Sequence, residues 1–166
     1  MPLDAVGREQ ARALRGRLDG CAFARVLVSP LGRAAETCAL AGYDDAEVCA
    51  DLREWDYGDY EGLTTGEIRR RRPGWSLWED GVPGGETLDQ VAARADAVVD
   101  TVRRSDGDVL AFAHAHILRV VAARWLGLGG GGGALLVLEP ASVSVLGWEH
   151  GAPVLRRWND TGTSPV

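Results

Sequence analysis

Lysine is absent from this sequence, and all eighteen basic side chains are arginine. With alanine and glycine abundant as well, this reads as the coding bias of a GC-rich genome. An arginine at any one position therefore says little about a chemical choice over lysine. Cysteine is scarce too: Cys21, Cys38 and Cys49 are scattered, without Cys-x-x-Cys spacing. That indicates neither a disulfide framework nor a zinc site, and favours small buried or half-buried thiols. No apolar run reaches the length of a membrane-spanning helix. The start, Met1 to Gln10, is polar and carries Asp4, Arg8 and Glu9. No signal peptide is visible there, and the cytoplasm is the default compartment. Positive charge is in deficit, with a net charge of -6. Nucleic-acid binding through a basic surface is disfavoured, and the run Arg69–Arg72 reads as a solvated helix end.

What is present suits one domain spanning 1–166, with enough apolar side chains for a core. Asp4 is a candidate N-cap, followed by Ala5, Ala11, Leu14 and Leu18 at helical spacing. Arg25 to Ser29 has a short buried-strand pattern stopped by Pro30, and a helix is expected over 31–41. Glu47 to Leu52 is a weaker strand candidate that runs into a polar, aromatic loop, Arg53 to Gly62. A short helix over 64–72 ends at Pro73-Gly74, and 75–85 reads as irregular. Thr87 and Gln90 form a capping-box pattern opening an amphipathic helix through Val91, Ala95, Val98 and Val102. Asp108 to Ala113 is the clearest buried strand, with a helix expected over 117–126. Gly129 to Gly133 is expected to be a flexible loop, without the Gly-Lys-Ser/Thr ending of a phosphate cradle. Two final strands, 141–146 and 153–157, flank a turn at Glu149–Gly151, and the tail from Asn159 is expected to fray. Strands alternating with helices predict an α/β layer fold with a largely parallel sheet, whose ligands sit beyond the carboxyl ends of the strands.

Two such strand ends carry chemistry. Arg33 lies in the first turn of a predicted helix, where a cation is mildly unfavourable unless an anion binds there. A surface arginine pointing away is the equal alternative. His114 follows the clearest strand, and as a lone histidine satisfied by a carbonyl it would need no function. His114 and His116 share a face if the backbone is extended, but further metal ligands with recognisable spacing are lacking. Glu54, beside Trp55 and Tyr57, is placed to act as a general acid or simply to pair with an arginine. Together, arginine, histidine and glutamate at loop positions suit a phosphoryl group.

The motifs then fall into a family order. Pro2 to Ala11; Ser29-Pro30-Leu31 with Arg33-Ala34 and Glu36-Thr37; Leu52-Arg53-Glu54 with Gly58 and Glu61-Gly62; Gly84 to Thr87; Ala113-His114 with Leu118-Arg119; and Trp158-Asn159 follow one another. In this order the chain resembles the histidine phosphatase (phosphoglycerate-mutase-like) superfamily. The resemblance implies a three-layer α/β/α sandwich around a mostly parallel sheet, with the family's first strand missing from this chain. It implies a phosphomonoester hydrolase working through phosphohistidine on a small phosphorylated substrate, without metal or other cofactor, and with neither nucleic acid nor membrane as partner. Carried over by motif, Arg33 binds phosphate, Glu54 donates the proton and later activates water, and His114 stabilises the transferring phosphoryl group. Tyr57 touches substrate, and Ala115 stands where the family usually has glycine, so its methyl group is expected to crowd the phosphate pocket while the backbone N–H remains. The family's nucleophile sits in an Arg-His-Gly motif upstream of the stretch matching Pro2 to Ala11. The chain as written is therefore expected to be inactive, its start assigned to an internal codon. A phosphoglycerate mutase, or a noncatalytic phosphate-ligand-binding or interaction protein, is the alternative.

Overall fold

Asp4 opens the molecule as expected, its carboxylate accepting the Gly7 N–H at 2.7 Å. It caps α1, Ala5–Arg17. The computed structural model describes residues 2–162, so the last part of the expected frayed tail lies outside the described residues. After α1 come β1 (Arg25–Val28), α2 (Gly32–Leu40) and β2 (Glu47–Val48). Then follow α3 (Thr65–Arg71), α4 (Leu77–Asp80), α5 (Leu88–Arg103), β3 (Val109–Phe112) and α6 (Ala115–Trp125). The described chain closes with β4 (Val143–Glu149) and β5 (Ala152–Asp160).

Strand β1 lies between β2 and β3 in a parallel sheet, with Val28 opposite Phe112, while β4 and β5 form a separate antiparallel pair. Side chains alternate across the parallel sheet, as the pleat requires. Leu27, Val109 and Ala111 face a core built with α5, α6, Leu52, Trp55 and Trp75. Val28, Leu110 and Phe112 face a second core under α1 and α2. The result is an α/β/α layering around a small, wholly parallel sheet, as the alternating pattern predicts. Among the described residues no helix is long and apolar enough to cross a membrane.

Four local expectations change. The segment 47–52 pairs as a strand over two residues only, then tightens into a 3-10 turn, Ala50–Leu52, that buries Leu52. The irregular segment 75–85 contains the single helical turn α4. Gly130–Leu135 forms a 3-10 turn, not a flexible loop. Glycine is needed there for approach: a Cβ on Gly133 would stand 2.7 Å from the Trp78 ring. Arg119 also donates to the Gly133 carbonyl at 2.9 Å, which satisfies backbone that the poor helix propensity of glycine would leave mobile. Asn159 is held within β5, its amide oxygen accepting the Glu139 N–H at 2.7 Å.

One close approach fixes the loop that carries Glu54. The segment ending at Gly84-Gly85 lies flat against residues 56–59, with Asp59 N–H donating to Pro83 O and Glu86 N–H to Asp56 O. A Cβ on Gly85 would stand 2.3 Å from Asp56 O and 2.7 Å from Gly58 N. Those neighbours are backbone and cannot rotate away. Gly85→Ala is expected to cost about 1–3 kcal/mol through overpacking, read as a lower urea midpoint; an unchanged midpoint would contradict the contact.

Candidate active site

Strands β1 and β3 are adjacent and parallel, so α2 and α6, which follow them, begin side by side. Arg33 is the second residue of α2, and His114 is the N-cap of α6. The Arg33 Nε donates to His114 Nδ1 at 3.0 Å. The other imidazole nitrogen, Nε2, meets the Ser29 hydroxyl at 2.8 Å, at the end of β1. Because the arginine can only donate, the network assigns the proton to Nε2, and His114 is neutral. Burial, and then the charge of Arg33, push its pKa down to about 4, against a smaller upward pull from Glu54.

Glu54 reaches the same helix end. Its Oε1 accepts the N–H groups of Trp55 and Ile117 at 3.0 Å, and its Oε2 accepts that of His116 at 3.2 Å. The first turn of a helix has unpaired N–H groups and partial positive charge, which is where a carboxylate is stabilised. Arg33, His114 and Glu54, from three separate stretches of sequence, therefore meet at the start of α6. Ala115 is the first residue of that helix.

Tyr57 lies against His116. Its hydroxyl lies 2.6 Å from His116 Nδ1. Burial, and next the neighbouring Glu54 charge, raise the phenol pKa. The phenol therefore stays protonated. Burial lowers the His116 pKa as well. His116 Nδ1 stands 3.8 Å from Glu54 Oε2, and its ring packs edge-on against Trp55 and Tyr57 and tilted against Trp78. The extended backbone that would put His114 and His116 on one face does not exist. The helix begins at Ala115, two residues earlier than expected, and turns the two rings to different neighbours.

Sequence reasoning missed Arg94 and His116. Arg94 grips Glu86 at 2.7 Å and donates to the carbonyls of Asp51 and Arg53 at 2.6 and 3.0 Å. It thereby clamps the loop just before Glu54 onto α5. Burial opposes the Glu86 charge, but hydrogen bonds from Arg94 and the Asp56 N–H outweigh it and hold the carboxyl below its usual range. Arg94 lies three residues after Val91, so helical spacing alone places it beside the inward face of α5.

Comparison with known proteins completes this description. The sequence matches the histidine phosphatase superfamily (branch 1) over residues 1–161, and the chain belongs to that superfamily. It is 42% identical over 139 residues to an acid phosphatase of Mycobacterium tuberculosis, covering 82% of this chain and 68% of that protein. A Saccharomyces cerevisiae sedoheptulose 1,7-bisphosphatase is 41% identical over 97 residues, covering 48% of this chain and 35% of the yeast protein. Among solved structures, the Mycobacterium tuberculosis open reading frame Rv3214 superposes with a TM-score of 0.89 at 39% identity, covering 96% of this chain and 84% of that one. A mycobacterial glucosyl-3-phosphoglycerate phosphatase superposes at 0.83 with 28% identity, covering 96% and 87%.

The electrostatics give a testable pH dependence. The folded state holds His114 and His116 neutral, with pKa values below the ordinary 6.5. As pH falls below 6.5 the unfolded chain binds protons that the folded chain refuses, down to about 4 for His114. Stability therefore drops with acid through that window. His114→Gln should flatten the fall in urea midpoint between roughly pH 6.5 and 5; identical slopes for the two proteins would contradict the assignment.

Proposed function

We propose that this chain provides the phosphate-binding and proton-transfer side of a phosphomonoester hydrolase of the histidine phosphatase type. The observation that carries the reading is the meeting of Arg33, His114 and Glu54 at the first turn of α6. An arginine fork beside backbone N–H groups suits a tetrahedral oxyanion. A guanidinium facing a neutral imidazole gains little, and a phosphate entering between them gives Arg33 a better partner.

In this reading Arg33 neutralises the phosphate oxygens, and the His114 ring supports the charge that develops on the transferring phosphoryl group. The N–H at Ala115 borders the same oxygens. Glu54, after taking up a proton from solvent, gives it to the departing alcohol oxygen and then takes one from the attacking water. Tyr57 contributes to the substrate wall through its bond to His116. Attack on phosphorus belongs, by the resemblance, to a histidine in an Arg-His-Gly motif. The three histidines here follow Ala113, Ala115 and Glu149, so none of them is assigned that role. The relatives' names support phosphorylated small molecules as the substrate class, with acid phosphatase and sugar bisphosphatase among them. No geometric feature favours isomer exchange over hydrolysis.

The test compares the 166-residue chain with the polypeptide extended upstream to include an Arg-His-Gly motif. The extended protein is expected to release phosphate from 4-nitrophenyl phosphate. Within it, Arg33→Ala should lower kcat/KM by about 10²–10³-fold, and Glu54→Gln should lower kcat by about 10²-fold or more. Turnover unaffected by either substitution, or no turnover at neutral or mildly acidic pH, would overturn the reading.

A further inference from the structure

Beyond His116, away from Arg33, a cavity of about 480 Å³ opens between the loop after Glu54 and the segment of α3 and α4. This volume lies in the range of small-molecule sites. Tyr57, Tyr60, Trp75, Trp78, Leu63 and Ile68 contribute to its wall. Tyr60 and Trp75 meet edge to face at 5.5 Å, and Trp78 is pinned from behind by the Arg119 guanidinium, 4.7 Å above its ring. These rings are fixed surfaces rather than swinging ones.

Several polar groups of the wall are engaged by the protein itself. Thr64 Oγ1 and Glu67 form the capping box of α3. Glu61 Oε1 accepts the Tyr57 N–H at 3.1 Å, Arg69 Nε donates to Trp75 O at 2.8 Å, and Trp75 Nε1 donates to Gly81 O at 3.0 Å. The two fully charged side chains in the wall, Glu61 and Arg69, are of opposite sign. A polyhydroxylated sugar needs many convergent hydrogen-bond partners, and a second phosphate needs net positive charge. Neither is what this wall offers. It offers aromatic faces and aliphatic edges, which reward a flat apolar group.

We infer that this cavity holds the alcohol portion of the substrate, and that this portion is an aryl or similarly flat apolar group carrying one phosphate. The inference rests on the phosphatase reading for where phosphate sits, and it adds the leaving-group class. His116 connects the two halves: it lines the cavity, and its Nδ1 stands 3.8 Å from Glu54 Oε2. An ester oxygen within reach of Glu54 is thus separated from the ring-lined space by one side chain, that of His116.

Binding of non-hydrolysable probes to the 166-residue chain tests this without turnover. Titration calorimetry is run with (2-naphthylmethyl)phosphonate, methylphosphonate, glucose 6-phosphate and 2-naphthol. The naphthyl phosphonate is expected to bind at least tenfold more tightly than methylphosphonate and glucose 6-phosphate. Leu63→Asp should shrink that advantage to less than threefold. Should that variant unfold by circular dichroism, shifts of the Trp75 and Trp78 indole N–H signals in the unsubstituted protein decide instead. Equal affinity for naphthyl and methyl phosphonates, tighter binding of the sugar phosphate, or no indole shift would overturn the inference. Binding of 2-naphthol with no binding of either phosphonate would uphold the cavity and sink the phosphate site, so the two failures are told apart.

Discussion

Three backbone N–H groups converge on the Glu54 carboxylate, two of them from the first turn of α6. Everything else at the site depends on this join. The helix end has donors that its own backbone cannot satisfy, and the 53–62 loop has a carboxylate with only 10% of its side chain exposed. Each settles the other's unmet hydrogen bonding. The join places a carboxylate within one helical turn of His114, while Arg94 and the Gly84-Gly85 approach hold the rest of the loop in register. Charge alone could not do this, because an exposed glutamate paired with an arginine contributes little.

Across that helix end the sheet does the positioning. Parallel pairing of Val28 with Phe112 brings the starts of α2 and α6 together, so Arg33 and His114 meet although 81 residues separate them. The cation sits at a helix N-terminus, where the backbone field opposes it. No acidic side chain lies in the first turn of α2 to compensate. The compensation within the protein is a neutral imidazole, a weak partner for a guanidinium. An oxyanion in that place would give the arginine a stronger partner than the imidazole, which is the physical basis of the phosphate site proposed there.

The layered α/β architecture was legible because it depends on periodicity: the caps at Asp4 and Thr87, the apolar strands around Leu27 and Leu110, and the hairpin around Gly151 all read directly. Less legible were features set by contacts between distant segments. Glu47 to Leu52 has strand composition, yet only two residues find a partner. The five glycines signal flexibility by propensity, but the Trp78 ring and the Arg119 side chain, each remote in sequence, convert them into an ordered turn. At the site, the residue types were readable and their neighbours were not. Nothing local announces that Tyr57 would spend its hydroxyl on His116, or that Arg94 would hold the acid loop. His116 entered the sequence reading only as a metal partner for His114; three-dimensional packing places it between the carboxylate and the aromatic cavity.

The most direct test is a crystal structure of the protein soaked with orthovanadate. The account predicts a tetrahedral or bipyramidal oxyanion within hydrogen-bonding distance of the Arg33 guanidinium and the His114 ring, with the Arg33–His114 contact opened and Glu54 still tied to α6. Vanadate bound elsewhere, with Arg33 still donating to His114, would contradict it.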